Sequence, residues 1–470
     1  MRIIDRRSQR QGPERSMEKF VIEGGVTLEG SVTPAGNKNA ALPILAAALL
    51  TDEELSIRNV PRIRDVEAMI EILAWLGVQV SWSAPGELSL CARAARDRLQ
   101  EEGLRALARS PDGGEGRHVP TIDPALAERI RASFLLAGPL LARSGAVLMP
   151  PPGGDVIGRR RLDPHLDAFA TMGAEVRCGR EILMRAPNGL APSDVFLDEP
   201  SVMATENVLM AASLTPGTTI IRNAACEPHV QDLARLLVKM GADIQGIGSN
   251  LLTVSGCGEL GGAQHTLAPD HIEIGSFMAL AGMTGSELRI KAVQPQDLRA
   301  VRMVFERLGL HTRLEGEDVL VPGGQRLRVR SDAGDHMGKI QDGPWPAFPA
   351  DLTSIALALA TQAEGSVLVH EWMFENRLVF TDKLVTMGAN IVLCDPHRAI
   401  VTGPRKLRGE RVESPDIRAG MAMLLAALCA EGRSEIGNIG QIDRGYERID
   451  ERLRTLGARI ERVAEEPVFA

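Results

Sequence analysis

One short stretch of the sequence combines an acid, a flexible backbone and a cluster of cations. The segment PPGGDVIGRRRLDPH places Asp155 directly after Gly153 and Gly154 and shortly before Arg159–Arg161. An acid on a flexible stem can be moved towards a substrate to donate a proton, and arginines beside it can bind anionic groups. The same composition is also typical of a solvated surface loop, so the stretch alone does not decide between the two interpretations.

Composition limits the class of protein in which this segment acts. The chain has 470 residues, 44% of them hydrophobic, which predicts a globular protein of two or more domains. Its net charge of -8 gives no basic field for nucleic acid, and no apolar run is long enough for a membrane span. Residues 1–16 lack the apolar segment of a signal peptide, so we expect a disordered tail and a cytoplasmic protein. Six widely spaced cysteines indicate neither a zinc site nor a disulfide framework.

Six copies of one unit make up most of the chain. Each copy ends an amphipathic run with a glycine and then begins an apolar run, as in VKMGADI. The apolar spacing from Val230 to Met240 predicts a helix, the next glycine a left-handed helix C-cap, and the following residues a strand. Upstream β-rich segments complete a strand–helix–strand unit that recurs about every 70 residues in most intervals. The repeat glycines are Gly77, Gly173, Gly241, Gly309, Gly388 and Gly457.

The repeats predict how the chain divides into domains. Solenoid repeats usually span about 20 to 50 residues, so these longer units fit compact α/β domains better. Three units per domain place the division near residues 267–276, where a proline-containing segment precedes the fourth unit. The first interval is longer because of residues 101–120, whose glycine, proline and charge predict a surface insertion.

Seven motifs are distributed along nearly the whole chain: GNKNAALPILAAALL, RASFLLAGPLLAR, PPGGDVIGRRRLDPH, PAFPADL, MFENR, DIRAG and IDRGYERI. In this order they resemble the motifs of the enolpyruvyl transferases. The resemblance implies two inside-out α/β barrel domains, each made of three βαβαββ units, that close over substrate. It assigns residues 17–36 and 269–470 to one domain and residues 37–268, with a mobile loop at 152–161, to the other.

The resemblance also implies an addition–elimination reaction that needs no metal and no organic cofactor. The enol of phosphoenolpyruvate passes to the 3-hydroxyl of UDP-N-acetylglucosamine with loss of phosphate, in the first committed step of peptidoglycan synthesis. Asp155 then corresponds to the general acid for the enol carbon, and Asp351 to the carboxylate that takes or holds the hydroxyl proton. The residues implied for phosphoenolpyruvate are Lys38, Asn39, Arg160, Arg418 and Arg444.

Nucleotide-sugar contacts are implied in the same way. They are Arg131, Arg160, Arg161, Leu162, Asp163, Pro164, Glu199, Ser201, Val202, Asp351 and Met373. Glu199 stands where many members have a lysine and Leu135 where many have an aromatic residue, departures that backbone contacts to the uracil and diphosphate could tolerate. Arg377 and Glu375 fall in the same predicted cleft.

Several of these residues have an ordinary structural interpretation as well. Lys38 could be a solvated lysine at a helix start, Asp351 a helix N-cap, and Arg444 part of a surface ion network. For the whole protein, the alternatives are enolpyruvyl transfer to another uridine nucleotide in a secondary pathway, transfer to shikimate phosphate, and an inactive repeat scaffold. The uridine motifs disfavour shikimate phosphate, and retention of the cations and both carboxylates disfavours the scaffold.

An aspartate at the loop position has two consequences within the family. Aspartate is normally ionised at neutral pH, so acid catalysis requires loop closure to remove water or to bring negative charge beside it. Members with a cysteine there are inactivated by fosfomycin, whose epoxide is opened by the thiolate. A carboxylate is a much weaker nucleophile of that kind and no cysteine lies on the loop, so the resemblance implies fosfomycin resistance.

Overall fold

The computed structural model describes residues 18–107 and 119–464. Within them, six small β-sheets surround two groups of helices. The tail predicted over residues 1–16 lies outside the described residues. The predicted surface insertion is described only in part, and its residues 101–107 are the last turns of a helix, Arg93–Leu107, rather than a loop. Gly103 is buried in this helix against the backbone of Ser144, where a larger residue would not fit.

The repeat glycines end helices as predicted. All six have positive φ, between 84° at Gly309 and 116° at Gly241, a conformation that glycine adopts without strain. In the third repeat, the helix Pro228–Lys239 is followed by Gly241, whose N–H donates to Val238 O at 3.0 Å, and then by the strand Asp243–Gln245. The predicted helix–glycine–strand unit is confirmed.

The helices fall into two classes by burial. Six are apolar and buried on nearly every side, which explains why their sequences show no polar stripe; they are Lys38–Ala46, Ala137–Ser144, Val202–Leu214, His271–Thr284, Thr353–Ala360 and Ile417–Cys429. Six others are amphipathic and keep one exposed face: Arg64–Trp75, Asp163–Thr171, Pro228–Lys239, Arg299–Arg307, Thr381–Thr386 and Ile449–Thr455. Shorter helical segments are Ala47–Leu50, Pro124–Ala127, Arg131–Leu136, Pro295–Leu298, Ala350–Leu352 and Ile439–Arg444.

Each complete sheet contains one parallel pair of strands extended by antiparallel strands. Within each sheet the strands are given in spatial order, beginning with the parallel pair. Two of these sheets come from residues 55–266: Ala263–Thr266, Leu55–Arg58, Glu87–Cys91, Gln79–Ala84; and Asp194–Phe196, Gly217–Arg222, Leu251–Gly256, Asp243–Gln245. The other three are Glu29–Val32, Glu287–Ile290, Asp318–Val321, Arg313–Glu315; Gly338–Gln341, Gly365–His370, Arg398–Gly403, Asn390–Asp395; and Arg411–Glu413, Arg433–Gly437, Glu18–Glu23, Arg459–Ala464. The sixth sheet has three strands, Ala146–Met149, Ile182–Arg185 and Glu175–Cys178. There a single parallel bridge from Thr121 to Leu148 stands in place of the first strand, so this unit departs from the predicted βαβαββ pattern.

Two hydrophobic cores organise these elements. The first contains buried residues between Ala40 and Leu267, and the second those between Phe20 and Val32 and between Ile272 and Ile460. Buried helices lie inside and sheets outside, as in the predicted inside-out α/β barrels. The chain crosses between the cores twice, and Gly36 and Pro269 form a bridge where the two crossings meet. A division into domains at residues 36 and 269 is our interpretation of these two cores.

Candidate active site

A cavity of about 240 Å³ lies between the two cores. The first core contributes the helix that begins at Lys38, the helix that begins at Val202 and the loop that carries Asp155. Across the cavity, the second core contributes Asp351 and Arg418, together with other charged side chains. The lining therefore brings acids and cations that are distant in sequence into one enclosed space.

Asp351 lies between two arginines of the second core. Its Oδ2 accepts hydrogen bonds from Arg418 Nη2 at 2.8 Å and Nε at 3.1 Å, and its Oδ1 accepts one from Arg377 Nη2 at 3.0 Å. Burial alone would raise the pKa of Asp351, but Arg418 and Arg377 outweigh burial and lower that pKa below its ordinary value. The carboxylate is therefore ionised, and an anion bound to the same arginines would make it more basic.

A second charged cluster joins the two cores around Asp65. Its two oxygens lie 2.8 Å from Lys38 Nζ and 2.8 Å from Arg444 Nε. Arg444 Nη1 also donates a hydrogen bond to Asp155 Oδ1 on the loop. Burial would raise the pKa of Asp65, but the charges of Lys38 and Arg444 lower it. Lys38 and Arg444 thus form a cationic pair held at fixed positions by two carboxylates.

The loop at residues 152–161 is docked between the cores. On one side, Gly153 N–H donates to Ala127 O at 3.2 Å. On the other, Ile157 O accepts from Asn376 N–H at 3.0 Å. The loop therefore closes over the cavity and bridges residues of both cores.

Glycines allow the close approach of this loop to its neighbours. Gly154 has φ of 107°, and a Cβ added there would lie 2.7 Å from Arg131 Cβ. Gly158 has φ of 141° and lies directly against Glu375, whose Oε2 accepts a hydrogen bond from Arg159 N–H at 3.1 Å. A side chain at either glycine would push the loop away from the cavity.

Arg131 and Arg160 form a cationic part of the cavity wall beside the loop. Arg131 Nη2 donates to Arg160 O, which fixes its guanidinium below the loop backbone. Burial, and then the charge of Arg160, lower the pKa of Arg131 to about 10. Burial also lowers the pKa of Arg160, and Asp155 is the opposing charge with the largest effect on it. Both arginines remain charged at neutral pH, so the wall favours an anionic ligand.

Another part of the wall consists of buried histidine and glutamate side chains beside a tryptophan. It is lined by Glu206, Glu227, His229, His271 and Trp345. Burial lowers the pKa of His229 to about 3, with a further contribution from His271, and it lowers the pKa of His271 to about 4. Burial raises the pKa of both Glu206 and Glu227 above the ordinary glutamate value. These side chains therefore favour their neutral forms.

A comparison with known families identifies the type of protein that has this site. A family model described as EPSP synthase (3-phosphoshikimate 1-carboxyvinyltransferase) matches residues 22–104 and 109–453. The chain belongs to this enolpyruvyl transferase family. A UDP-N-acetylglucosamine 1-carboxyvinyltransferase from Bradyrhizobium diazoefficiens is 54% identical over 95% of this chain and 98% of the relative. Another of that name, from Treponema denticola, is 48% identical over 95% of this chain and 99% of the relative.

Solved structures support the fold of this transferase. The enolpyruvyl transferase NikO from Streptomyces tendae superimposes with a TM-score of 0.81 over 96% of this chain and 100% of that one, at 23% identity. An EPSP synthase from Acinetobacter baumannii gives a TM-score of 0.69 over 95% and 100%, at 18% identity. At these identities the similarity concerns the fold alone, and it confirms the predicted class of two inside-out α/β barrels.

The structure brings most of the predicted site residues of the transferase together. Those that line the cavity are Lys38, Asn39, Arg131, Asp155, Arg160, Val202, Asp351, Met373, Arg377, Arg418 and Arg444. Those that lie outside its lining are Arg161, Leu162, Asp163, Pro164, Glu199, Ser201 and Glu375. All of the residues predicted for phosphoenolpyruvate are in the first group, whereas the nucleotide-sugar residues are divided between the two.

The residues outside the lining have other contacts that explain their positions. Arg161 is surrounded by acids, 2.7 Å from Asp198, 3.4 Å from Asp163 and 3.8 Å from Glu199. Ser201 is the N-cap of the helix Val202–Leu214 and accepts a hydrogen bond from Ala204 N–H. Leu162 and Pro164 lie at the start of another helix and are partly or fully buried. Their predicted contacts to a nucleotide remain a prediction.

The purely structural interpretations that the sequence allowed for Asp351, Lys38 and Arg444 are wrong. Asp351 is not a helix N-cap, because it lies within the short helix Ala350–Leu352 and its oxygens bind arginines. Lys38 is not solvated, because only 8% of it is exposed and its ammonium group binds a buried carboxylate. Arg444 joins the buried cluster between the cores rather than a surface network.

Sequence reasoning missed several residues of the site. Asp65 was not predicted, because it meets Arg444 only through a contact between positions 379 residues apart. Gln441, which accepts from Arg444 Nη1 at 2.9 Å, was also missed, although it lies only three residues before Arg444. Glu206 did leave a signal, since it is a charged residue within the otherwise apolar helix VMATENVLMAASL.

Two further observations concern the described residues as a whole. In residues 18–107 and 119–464, no helix has the length and apolar composition of a membrane span. Over the same ranges, no group of three His, Cys, Asp or Glu side chains is arranged to hold a metal ion. All six cysteines of the chain are described, and they are free thiols.

Proposed function

We propose that this transferase moves the enolpyruvyl group of phosphoenolpyruvate to the 3-hydroxyl of UDP-N-acetylglucosamine and releases phosphate, the first committed step of peptidoglycan synthesis. The observation that carries the proposal is one cavity in which Asp155 and Asp351 lie among the cations of both cores. The named function of relatives 54% and 48% identical supports the same donor and acceptor.

In this proposal, four cations hold the donor. Lys38 and Arg444 bind its phosphate and Arg418 its carboxylate, with Arg160 beside them. Lys38, Arg444 and Arg418 each pair with a carboxylate of the protein. The phosphate and carboxylate of the donor therefore replace these carboxylates at cations that are already held in position. Asn39, whose Nδ2 lies 3.4 Å from Asp351 Oδ2, faces the same part of the cavity.

Two carboxylates move the protons. Asp351 takes or holds the proton of the attacking hydroxyl while the hydroxyl oxygen bonds to C2 of the donor. Asp155 protonates the vinyl CH2 carbon, and phosphate leaves when a proton is lost again from the resulting methyl group. In the structure Asp155 is paired with Arg444. Donor phosphate at Arg444 frees Asp155 from this pair and places negative charge near it, which favours its acidic form.

The acceptor extends from Asp351 towards the residues outside the cavity lining. Its sugar lies near Asp351, Val202 and Met373, which line the cavity. The uridine diphosphate runs past Arg131 and Arg160 towards the segment 161–164 and Glu199–Ser201. Arg161 then exchanges part of its contact with Asp198 for the diphosphate.

We further propose that the reaction takes place in the cytoplasm and that fosfomycin does not inactivate this transferase. Free cysteines fit a reducing compartment. The loop acid is an aspartate, and each cysteine of the chain lies outside residues 152–161. The thiolate chemistry on which the drug depends is therefore missing from the loop.

An acceptor panel tests the proposal. Purified protein is incubated with phosphoenolpyruvate and, separately, with UDP-N-acetylglucosamine, other uridine nucleotides and shikimate 3-phosphate, while phosphate release is followed. We expect release with UDP-N-acetylglucosamine. Release only with another uridine nucleotide would assign a secondary pathway, release only with shikimate 3-phosphate would assign the other branch of the family, and no release with any acceptor would support a scaffold.

A further inference from the structure

Besides Arg377 Nε, three buried polar atoms of the cavity lining have no hydrogen-bond partner within the described residues. They are Glu206 Oε1, Glu227 Oε2 and His229 Nδ1. Glu206 is 2% exposed and His229 6% exposed, so both side chains are buried in the protein except where they line the cavity. Leaving such buried atoms unpaired lowers the stability of the folded protein. Residues that line a cavity at this cost are suited to a ligand that supplies the missing bonds.

The three residues come from two neighbouring elements. Glu206 lies one helical turn after Val202 and Met203, and all three line the cavity from the same helix. Glu227 immediately precedes the helix Pro228–Lys239, and its Oε1 accepts from Trp345 N–H at 3.4 Å. The unpaired atoms are therefore held on rigid backbone beside an apolar helix face.

The local chemistry favours an uncharged ligand group. A neutral carboxyl group both donates and accepts a hydrogen bond, as an amide or a hydroxyl group does. An anionic group would have no cation to pair with among these three residues. Burial, reinforced by Glu227, raises the pKa of Glu206, which favours the neutral form of its carboxyl.

This part of the wall belongs to the cavity in which, in the proposed function, the acceptor hydroxyl reacts. His229 and His271 both lie close enough to Asp351 and Arg418 for these charges to affect their titration. His271 Nδ1 is 3.1 Å from Asn37 Nδ2, directly before Lys38 in the chain. This part of the wall therefore lines the same cavity as the carboxylate that, in the proposed function, holds the acceptor hydroxyl.

We propose that Glu206, Glu227 and His229 form a specificity subsite for the uncharged polar substituent next to the reacting hydroxyl of the acceptor sugar. This inference rests on the proposed function. In UDP-N-acetylglucosamine the groups next to the 3-hydroxyl are the 2-acetamido group and the 4-hydroxyl group. Either one supplies the missing bonds, and the acceptor analogues below distinguish them.

Two substitutions of Glu206 distinguish an effect on acceptor binding from an effect on the stability of the protein. Glu206→Leu removes a buried carboxyl whose Oε1 has no partner among the described residues, so the free protein is expected to keep or increase its melting temperature. Its KM for UDP-N-acetylglucosamine should rise about tenfold or more, with the KM for phosphoenolpyruvate nearly unchanged. Glu206→Gln keeps a donor and an acceptor and should remain close to the unmodified protein.

Thr219→Val provides the matched control. Thr219 Oγ1 is also buried and without a partner among the described residues, but Thr219 does not line the cavity. Its loss should leave both KM values unchanged. A Glu206→Leu variant with an unchanged acceptor KM, or with a lowered melting temperature and equal changes in both KM values, would overturn the subsite.

Acceptor analogues test the unmodified protein even if Glu206→Leu does not fold. UDP-2-deoxyglucose lacks the 2-substituent and the 4-deoxy analogue of UDP-N-acetylglucosamine lacks the 4-hydroxyl. We expect one of them to lose about tenfold or more in kcat/KM, which identifies the recognised group. Equal use of both analogues and UDP-N-acetylglucosamine would refute the subsite. Absence of turnover with UDP-N-acetylglucosamine itself would instead refute the proposed function.

Discussion

Several cations of the site each pair with a carboxylate of the protein, which an anionic substrate group could replace. Lys38 binds Asp65, Arg418 binds Asp351, and Arg444 binds Asp65 and Asp155. Replacing a cation in such a pair removes a contact to the substrate and also leaves a buried carboxylate uncompensated. Substrate affinity and stability must therefore be measured together for each variant.

Lys38→Ala is expected to raise the KM for phosphoenolpyruvate by about tenfold or more, because a charge-assisted bond to its phosphate is lost. Lys406→Ala is the control, since the Lys406 side chain is 85% exposed and pairs with Glu431 at the surface. Steady-state kinetics with varied donor, and a melting curve for each variant, provide the measurement. Equal donor KM values in the two variants would leave Lys38 without a role in donor binding.

Asp155 is expected to act as the acid and to determine the response to fosfomycin. Asp155→Asn should reduce kcat by about 100-fold or more, because it has no proton to donate to the enol carbon. Asp155→Cys should be inactivated by fosfomycin, whereas the unmodified protein should recover full activity after dialysis. Near-full turnover of Asp155→Asn, or a stable drug adduct on the unmodified protein detected by mass, would contradict this role.

At the level of elements, the loop at 152–161 depends on close backbone contacts. Gly158→Ala would place a Cβ 3.1 Å from Glu375 N and require a rare φ of 141°, so the loop could not dock. We expect kcat to fall about tenfold or more with little change in melting temperature. Gly173→Ala is the control, because it also has positive φ but meets no atom within 4 Å.

Protease sensitivity of the loop gives a direct measurement for this pair of variants. Gly158→Ala should be cut within residues 152–161 faster than the unmodified protein, because an undocked loop is accessible. Gly173→Ala should lose some stability but retain the cleavage pattern and kcat of the unmodified protein. If both variants kept normal turnover, loop docking would not contribute to catalysis.

The repeated elements could be predicted from sequence because their signals are local. Helix periodicity and the glycine at each C-cap act within one turn, and all six glycines have the expected positive φ. The partners of the charged residues could not be predicted in this way. Asp65 lies on an ordinary amphipathic helix, and its role appears only when distant segments meet at the cavity, whereas Glu206 stands out in the sequence as a charge within an apolar helix. Motif resemblance predicted the residues that bind the donor but did not reveal which carboxylates pair with them.

At the level of the whole molecule, the two cores are connected by two crossings and by charged contacts over the cavity. Asn37 N–H donates to Ala268 O at 2.8 Å, and Asp270 N–H donates to Ala35 O at 2.9 Å, so the two crossings are joined to each other. We interpret these crossings as hinges about which the cores open for substrates. Binding of the anionic substrates would then stabilise the closed arrangement described here.

Buried histidines make the stability of the whole molecule depend on pH. Burial, and then the charge of Arg131, lower the pKa of His165 to about 3, whereas an unfolded histidine titrates near about 6.5. Below about pH 6.5 the unfolded state binds the additional proton, so this residue makes stability fall as the pH decreases. His165→Asn should reduce the slope of unfolding free energy against pH by up to about 1.4 kcal/mol per pH unit between these values.

Denaturant unfolding at a series of pH values measures this slope. His336→Asn, at an exposed position, should leave the slope unchanged and serves as the control. His165→Asn is also expected to lower stability at neutral pH, because His165 Nδ1 is 2.9 Å from Asn207 Nδ2 in the first core. An unchanged slope in His165→Asn would mean that His165 does not remain neutral in the folded protein.

The most direct test of the central claim is the nuclear magnetic resonance spectrum of the product formed from carbon-13-labelled phosphoenolpyruvate and UDP-N-acetylglucosamine in deuterium oxide. The account predicts a labelled enol ether on the 3-oxygen of the sugar, with deuterium in its vinyl CH2 group because the methyl intermediate exchanges a proton. A labelled enol ether at another position, or no enol ether at all, would contradict it.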